Sequence, residues 1–167
     1  SNRGALKGMV ILFHGGSFQF GSKEDLYGED FNATLNGILE NNIGIANANY
    51  SFITETNSNG VFSSLNDGSD VINFIRQNQA VLELPANKLV LAGVSAGAGI
   101  AMWNGFRESE NDQVEGIVAL YAQSSYDLYE WENYFMDFDL DSIRLQNSEL
   151  QDLFLNFYGG EYTPQKA

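Results

Sequence analysis

Between Gly8 and Tyr121, four short apolar runs alternate with amphipathic stretches, and this alternation constrains the fold more than any other feature. The runs are Gly8–His14 (GMVILFH), Ile43–Tyr50 (IGIANANY), Lys88–Val94 (KLVLAGV) and Val114–Tyr121 (VEGIVALY). A short, continuous apolar run bounded by glycine or polar turn residues reads as a strand buried on both faces. Between the runs, Glu29–Asn42 sets Phe31, Leu35, Ile38 and Leu39 at helical spacing. The stretch from about Ser64 to Ala80 carries Leu65, Val71, Ile72, Ile75 and Gln79 along one stripe, and Ser95–Glu108 opens a third helix with small residues. Ser17–Gly28 and Ser51–Ser63 read as loops, and Pro85 with Asn87 as a turn. This order predicts an α/β fold: a mainly parallel sheet with right-handed crossovers and helices on both faces.

After Tyr121 the alternation stops. Ser125–Phe138 is aromatic and acidic, with Tyr126, Tyr129, Trp131, Tyr134, Phe135 and Phe138. Ser142–Tyr158 reads as one helix with Ile143, Leu150, Leu153, Phe154 and Phe157 in phase. The expected organisation is a sheet-and-helix core over 1–124 and a helical segment over 125–167. No internal repeat interrupts either part.

Composition narrows the chemistry. With 167 residues and 44% hydrophobic content the chain can bury the core of one domain. It has no cysteine, which removes disulfides, thiolate zinc sites and a cysteine nucleophile. One histidine cannot build a His-rich metal site, so no metal is expected. The net charge of −14 argues against nucleic acid or an anionic membrane surface as partner. Most of that charge lies late: residues 107–167 hold 13 acids against 3 bases. A solvated acidic surface is the simple reading, and a repulsive screen against anionic substrates the sharper one. No apolar run comes near the roughly 18 residues that a membrane-crossing helix needs. Asp137, Asp139 and Asp141 echo a calcium loop, but Ser142 stands where that loop needs Gly and Ser148 where it needs Glu. A calcium loop is rejected.

The chemistry concentrates in two places. Gly93-Val94-Ser95-Ala96-Gly97 matches G-x-S-x-G, with a strand before it and a small-residue helix after. A serine on so tight a strand-to-helix turn is held in a strained backbone, and its hydroxyl projects at the carboxyl end of the sheet. Gly93 and Gly97 leave room for the crossing, and the helix N-terminus offers free N–H groups to a developing oxyanion. Alone, the pattern also describes a Gly-rich turn with an N-capping serine. The second element is His14-Gly15-Gly16, which ends the first strand 81 residues upstream of Ser95. Glycines there let backbone N–H groups face a ligand. One N–H from Gly15 or Gly16 and the N–H of Ala96 would make a two-donor oxyanion hole.

These residues resemble the α/β-hydrolase superfamily, and specifically its esterases and lipases with an HGG loop. The matching text is VILFHGGSFQFG, then NANYSF, then KLVLAGVSAGAG, and the resemblance spans roughly Lys7 to Tyr121. It implies Ser95 as nucleophile, Gly15, Gly16 and Ala96 as oxyanion donors, a small-molecule ester as substrate and no cofactor. SAGAG looks most like a carboxylesterase elbow, whereas Val94 departs from the acidic residue that many relatives carry before the serine.

The resemblance also shows what is missing. The family order is Ser, then Asp or Glu, then His, and no histidine follows Ser95. His14 belongs to the HGG loop, where it shapes the backbone. Asp127 follows the fourth strand too closely to be the family's acid, and Asp67 and Asp70 read as surface or capping carboxylates. Only seven residues precede Gly8, where the family places antiparallel strands. Both ends therefore look clipped, and the expected base and acid lie outside the chain. Residues 125–167 fall where the family inserts cap or lid helices. Three other readings stay open: a peptidase or amidase of the same fold, a binding protein on a degenerate hydrolase, or an interaction module using exposed sheet edges. Compartment and oligomeric state are not legible; bacterial cytoplasm and cell envelope both fit.

Overall fold

The computed structural model describes residues 5–54, 56–84, 88–109, 114–135, 137 and 139–161. All four strands form: β1 (Gly8–Phe13), β2 (Ile43–Ala48), β3 (Leu89–Val94) and β4 (Val114–Leu120). They pair in parallel, in the order β2-β1-β3-β4. Helix α1 (Glu29–Glu40) connects β1 to β2. Helix α2 (Val61–Leu82) returns across β1 to β3, and α3 (Ala96–Ser109) leads to β4. The chain thus winds outward from β1 in one direction and then in the other. The reversal lies between β1 and β3, and ligands of open α/β sheets bind outside the carboxyl ends of the strands at such a point.

The core sits on one face. Met9, Ile11, Phe13, Leu89 and Leu91 project to the same side in register, and Leu65, Ile72 and Ile75 of α2 and Ile100 of α3 close over them. Val10 points the other way; with Leu26 and Leu35 it is buried outside this cluster. Since α1 packs on β2, helices flank both faces as the alternation predicts. Gln79, read as part of the α2 stripe, is exposed, because the helix has by then run past the sheet. Asn104 is the buried polar link between α2 and α3: its amide donates to the carbonyls of Leu65 and Ile100 and accepts from the Ser69 hydroxyl.

Three boundaries differ from the sequence reading. The stretch read as a loop over 17–28 contains a 3-10 helix, Lys23–Tyr27, started by reciprocal Ser22 and Asp25 bonds, which is the capping-box signature. Helix α2 begins at Val61, three residues before the polar residues suggest, because Val61 and Leu65 are buried in the core. The single helix read over 142–158 is two, α4 (Leu140–Gln146) and α5 (Ser148–Tyr158). Asn147 breaks it: its backbone is extended, and its side chain caps α5 by accepting from the Glu149 and Leu150 N–H groups. The Pro85–Asn87 turn and Phe138 lie outside the described residues.

The later segment is anchored by backbone. A Cβ on Gly60, at the start of α2, would collide with the Phe157 carbonyl. One on Gly159, at the end of α5, would collide with the Ser58 carbonyl. Both have positive φ, +54° and +68°, so glycine is needed there for conformation as well as space. This contact holds α5 beside the start of α2. It also places Phe157 against the core, within 6.2 Å of Phe18 and 6.3 Å of Tyr126 between ring centroids.

Leu65 is fully buried between sheet and helices. Leu65→Ala should lower unfolding free energy by about 3 kcal/mol, measured by urea denaturation. Val81→Ser, on an 84% exposed side chain of the same helix, should change it by less than about 0.5 kcal/mol.

Candidate active site

The site begins with a backbone contact. Phe13 of β1 pairs with Gly93 of β3, and two residues further the strands deliver Gly15 and Ser95 side by side. A Cβ on Gly15 would lie 3.2 Å from the Val94 carbonyl and 3.6 Å from Ser95 Cβ. Above them, α3 starts so close to the sheet that a Cβ on Gly93 would strike the Gly97 carbonyl. A Cβ on Gly97 would strike the carbonyls of Phe13 and His14. The two glycines of G-x-S-x-G are thus required by space.

Ser95 has φ +54°, the left-handed conformation that costs a non-glycine residue of order 1 kcal/mol or more. Two bonds hold it there: its N–H donates to the Leu120 carbonyl at the end of β4 (2.8 Å), and its carbonyl accepts from Gly99 (3.1 Å). Seven described non-glycine residues have positive φ. Four of them, Ser17, Phe18, Ser95 and Tyr121, line one cavity of about 620 Å³ at the carboxyl end of the sheet. Of the other three, Asn42 and Glu83 sit at helix C-termini, where this conformation is ordinary. Backbone strain therefore collects at the cavity.

The HGG loop is shaped by one residue that sequence reasoning missed. Tyr50, just after β2, reaches back so that its hydroxyl lies 2.9 Å from the His14 carbonyl and 3.2 Å from that of Gly15. In a trans peptide C=O and N–H point in opposite directions. Holding these two carbonyls on the Tyr50 side therefore turns the N–H groups of Gly15 and Gly16 to the other side. Neither these N–H groups nor that of Ala96 has a backbone acceptor among the described residues. Gly16 has φ +121° and a Cβ there would overlap the Phe20 carbonyl; its own carbonyl accepts from Gln19 and Phe20 and tightens the turn. Burial pushes the Tyr50 phenol well above its usual range, so the hydroxyl stays a neutral donor. The signal was in the text NANYSF, but a tyrosine after a strand does not by itself announce this role.

His14 is buried and stacked on the Tyr50 ring at 4.4 Å between centroids, with Phe52 edge-on at 6.2 Å. Its Nδ1 lies 2.6 Å from the Gly15 carbonyl, and its buried Nε2 has no partner among the described residues. It packs beneath the loop and makes no hydrogen bond to Ser95. Of the carboxylates set aside from the sequence, Asp67, Asp127, Asp139 and Asp141 serve local structure. Asp67 accepts from the Ser51 N–H, joining α2 to the loop after β2. Asp127 caps the 3-10 helix Leu128–Asn133, Asp139 caps α4, and Asp70 is exposed. Asp141 accepts from the Tyr129 hydroxyl (2.7 Å) and from Arg144 Nε (2.8 Å), and these partners hold its carboxyl below the usual range. Among the described residues no group of three or more His, Cys, Asp or Glu could hold a metal ion. No helix among them is long and apolar enough to cross a membrane.

The cavity joins both parts of the chain. Ser95, Ala96 and Tyr121 line it from the sheet side, and Ser17 and Phe18 from the loop after β1. Leu128, Trp131, Ile143, Arg144 and Phe154 come from the later segment. It is a mainly apolar hollow with the Ser95 hydroxyl in its lining, of a size that takes a small organic molecule. Tyr126 stacks on Phe157, a lining residue, and its buried hydroxyl lies over Gly99, where any side chain would displace it.

Solved structures of similar fold include three esterases. A hyperthermophilic esterase from the archaeon Pyrobaculum calidifontis is 20% identical with a TM-score of 0.64, over 99% of this chain and 50% of that one. Esterases from the fungus Rhizomucor miehei include a structure 23% identical with a TM-score of 0.61, over 77% of this chain and 39% of that one. Thermogutta terrifontis esterase 2 phosphonylated by sarin is 19% identical with a TM-score of 0.55, over 70% of this chain and 44% of that one. The chain thus spans half the length of these structures or less. No curated protein matches it. The BD-FAE family model matches residues 1–138, which takes in the HGG loop, the elbow and all four strands, and the chain belongs to the BD-FAE family, with a sheet that is part of an α/β-hydrolase fold.

Proposed function

We propose that the protein carrying this chain is a serine hydrolase that cleaves carboxylic esters through an acyl-enzyme on Ser95. The observation that carries the reading is the strained Ser95 lining an apolar cavity, beside a glycine loop whose N–H groups have no backbone acceptor among the described residues. Ser95 Oγ attacks the ester carbonyl, and the resulting oxyanion is received by the N–H of Ala96 and those of Gly15 and Gly16. These donors are fixed before substrate arrives, by the α3 crossing and by Tyr50, so little reorganisation is required as charge develops. The tetrahedral intermediate collapses: the ester C–O bond breaks, the alcohol leaves with the proton taken from the serine, and the carbonyl re-forms as an acyl ester on Ser95. Water then hydrolyses the acyl-enzyme, releasing the acid and restoring the Ser95 hydroxyl. The histidine that takes the serine proton and its acid partner come from sequence outside this chain. The esterase neighbours and the BD-FAE match support a hydrolase. Residues 125–167 serve as a cap over the core of 1–124 and shape the pocket for the substrate.

Ser95→Ala in the protein carrying this chain should abolish labelling by a fluorophosphonate and lower ester turnover at least a thousandfold. Labelling that persists on another residue would rule out Ser95 as nucleophile. Gly16→Ala forces a side chain onto the Phe20 carbonyl and strains φ +121°. It should lower kcat by about 10- to 1000-fold on p-nitrophenyl acetate with a smaller change in KM, since the oxyanion contact exists chiefly in the transition state. Equal activity on aminoacyl amides and esters would favour a peptidase of the same fold.

A further inference from the structure

The charge of the cavity is opposite to that of the chain around it. The protein carries −14, yet the residues lining the cavity include no acid and one cation, Arg144. That guanidinium is fixed from three directions. Nε donates to Asp141 at 2.8 Å, Nη1 donates to Gln151 at 2.9 Å, and the planar group lies over the Phe154 ring with Cζ 4.6 Å from the centroid. Asp141 is itself held by the Tyr129 hydroxyl. The Tyr129 hydroxyl also hydrogen-bonds the guanidinium, so three partners share its five N–H groups, and the Arg144 side chain keeps 16% of its surface accessible. An arginine fixed at Nε, Nη1 and its ring face, with more N–H groups than these three partners use, has lost its rotamer freedom already and can grip a planar anion without paying that entropy again.

We propose that Arg144 is a specificity-determining residue and that the preferred ester carries a carboxylate at the end remote from the bond cleaved. The cavity supplies the rest of the recognition: apolar walls for the body of the molecule and Ser95 in its lining. Asp141 offsets part of the arginine charge, so the selectivity rests on directed hydrogen bonds from the remaining guanidinium N–H groups in a mainly apolar hollow rather than on long-range attraction. The acidic envelope works against anions at a distance, which confines their recognition to the cavity. The ester identity of the ligand rests on the Ser95 reading above; the preference for an anionic end does not.

A matched pair separates the two claims: 4-acetoxybenzoate and its neutral analogue 4-acetoxybenzamide. Dissociation constants are measured by titration calorimetry on the full chain carrying Ser95→Ala, so that no turnover intervenes. The carboxylate should bind about tenfold or more tightly than the amide, as expected for a hydrogen bond to a charged group. Adding Arg144→Gln should remove that preference, with the amide affinity changed less than twofold. Arg144→Lys should keep part of it, since charge remains but the fork geometry is lost. Equal binding of the two compounds to the Ser95→Ala chain would overturn the proposal, as would a preference that survives Arg144→Gln. If Arg144→Gln alters the melting temperature, the Arg144→Lys comparison decides: full retention of the preference assigns it to charge alone and overturns directed recognition. Anion selectivity without Ser95-dependent ester cleavage would leave this inference standing and remove the functional one.

Discussion

Everything at the site depends on a close approach of backbone to backbone where α3 meets the sheet. Gly93 and Gly97 lie where any Cβ would strike a neighbouring main chain. With both side chains absent, α3 starts almost on top of β1 and β3, and the residue between them must make the whole strand-to-helix turn. Ser95 therefore takes φ +54°. The same crossing leaves the Ala96 N–H at a helix start, where it has no intrahelical acceptor. Strain in one serine, tight packing of one helix and a free donor are three consequences of one steric fact.

The second dependence is long-range and polar. Tyr50 stands at the end of β2, yet it orients the peptide bonds after β1. Its hydroxyl lies near two carbonyls at once and its ring carries His14. The histidine of the HGG text thus contributes packing beneath the loop. An aromatic cluster extends this layer outward, from Phe18 through Tyr126 and Phe157 to Phe154 and Tyr158. It attaches the later segment to the core by stacked and edge-on rings, an arrangement that adds to simple area burial.

Electrostatics divide the molecule into a surface and an interior of different character. Three acidic residues of the later segment serve local structure. Asp127 and Asp139 cap short helices, and Asp141 ties Tyr129 to Arg144. Carboxylates at helix starts satisfy N–H groups and oppose the helix dipole, which explains why so acidic a stretch still forms ordered turns. The cation they hold in place is the one that faces the cavity.

The amino-acid order by itself determined the four strands, their parallel arrangement, the tight turn at Ser95 and the HGG loop. These follow from local rules: apolar runs of strand length, helical spacing and glycines where a turn has no room for side chains. Residues such as Gly93, Ser95 and Gly97 are legible because a five-residue spacing encodes their geometry. Only the tertiary structure decided the rest. That Tyr50 shapes the loop after β1 depends on β1 and β2 pairing with a particular register. That Arg144 and Phe154 share a cavity with Ser95 depends on a glycine contact between residues 60 and 159, and on Asn147 splitting one helical pattern into α4 and α5. Such relations join positions tens of residues apart, and no periodicity along the chain records them. They exist because burial of aromatic surface and satisfaction of backbone donors are settled for the folded chain as a whole.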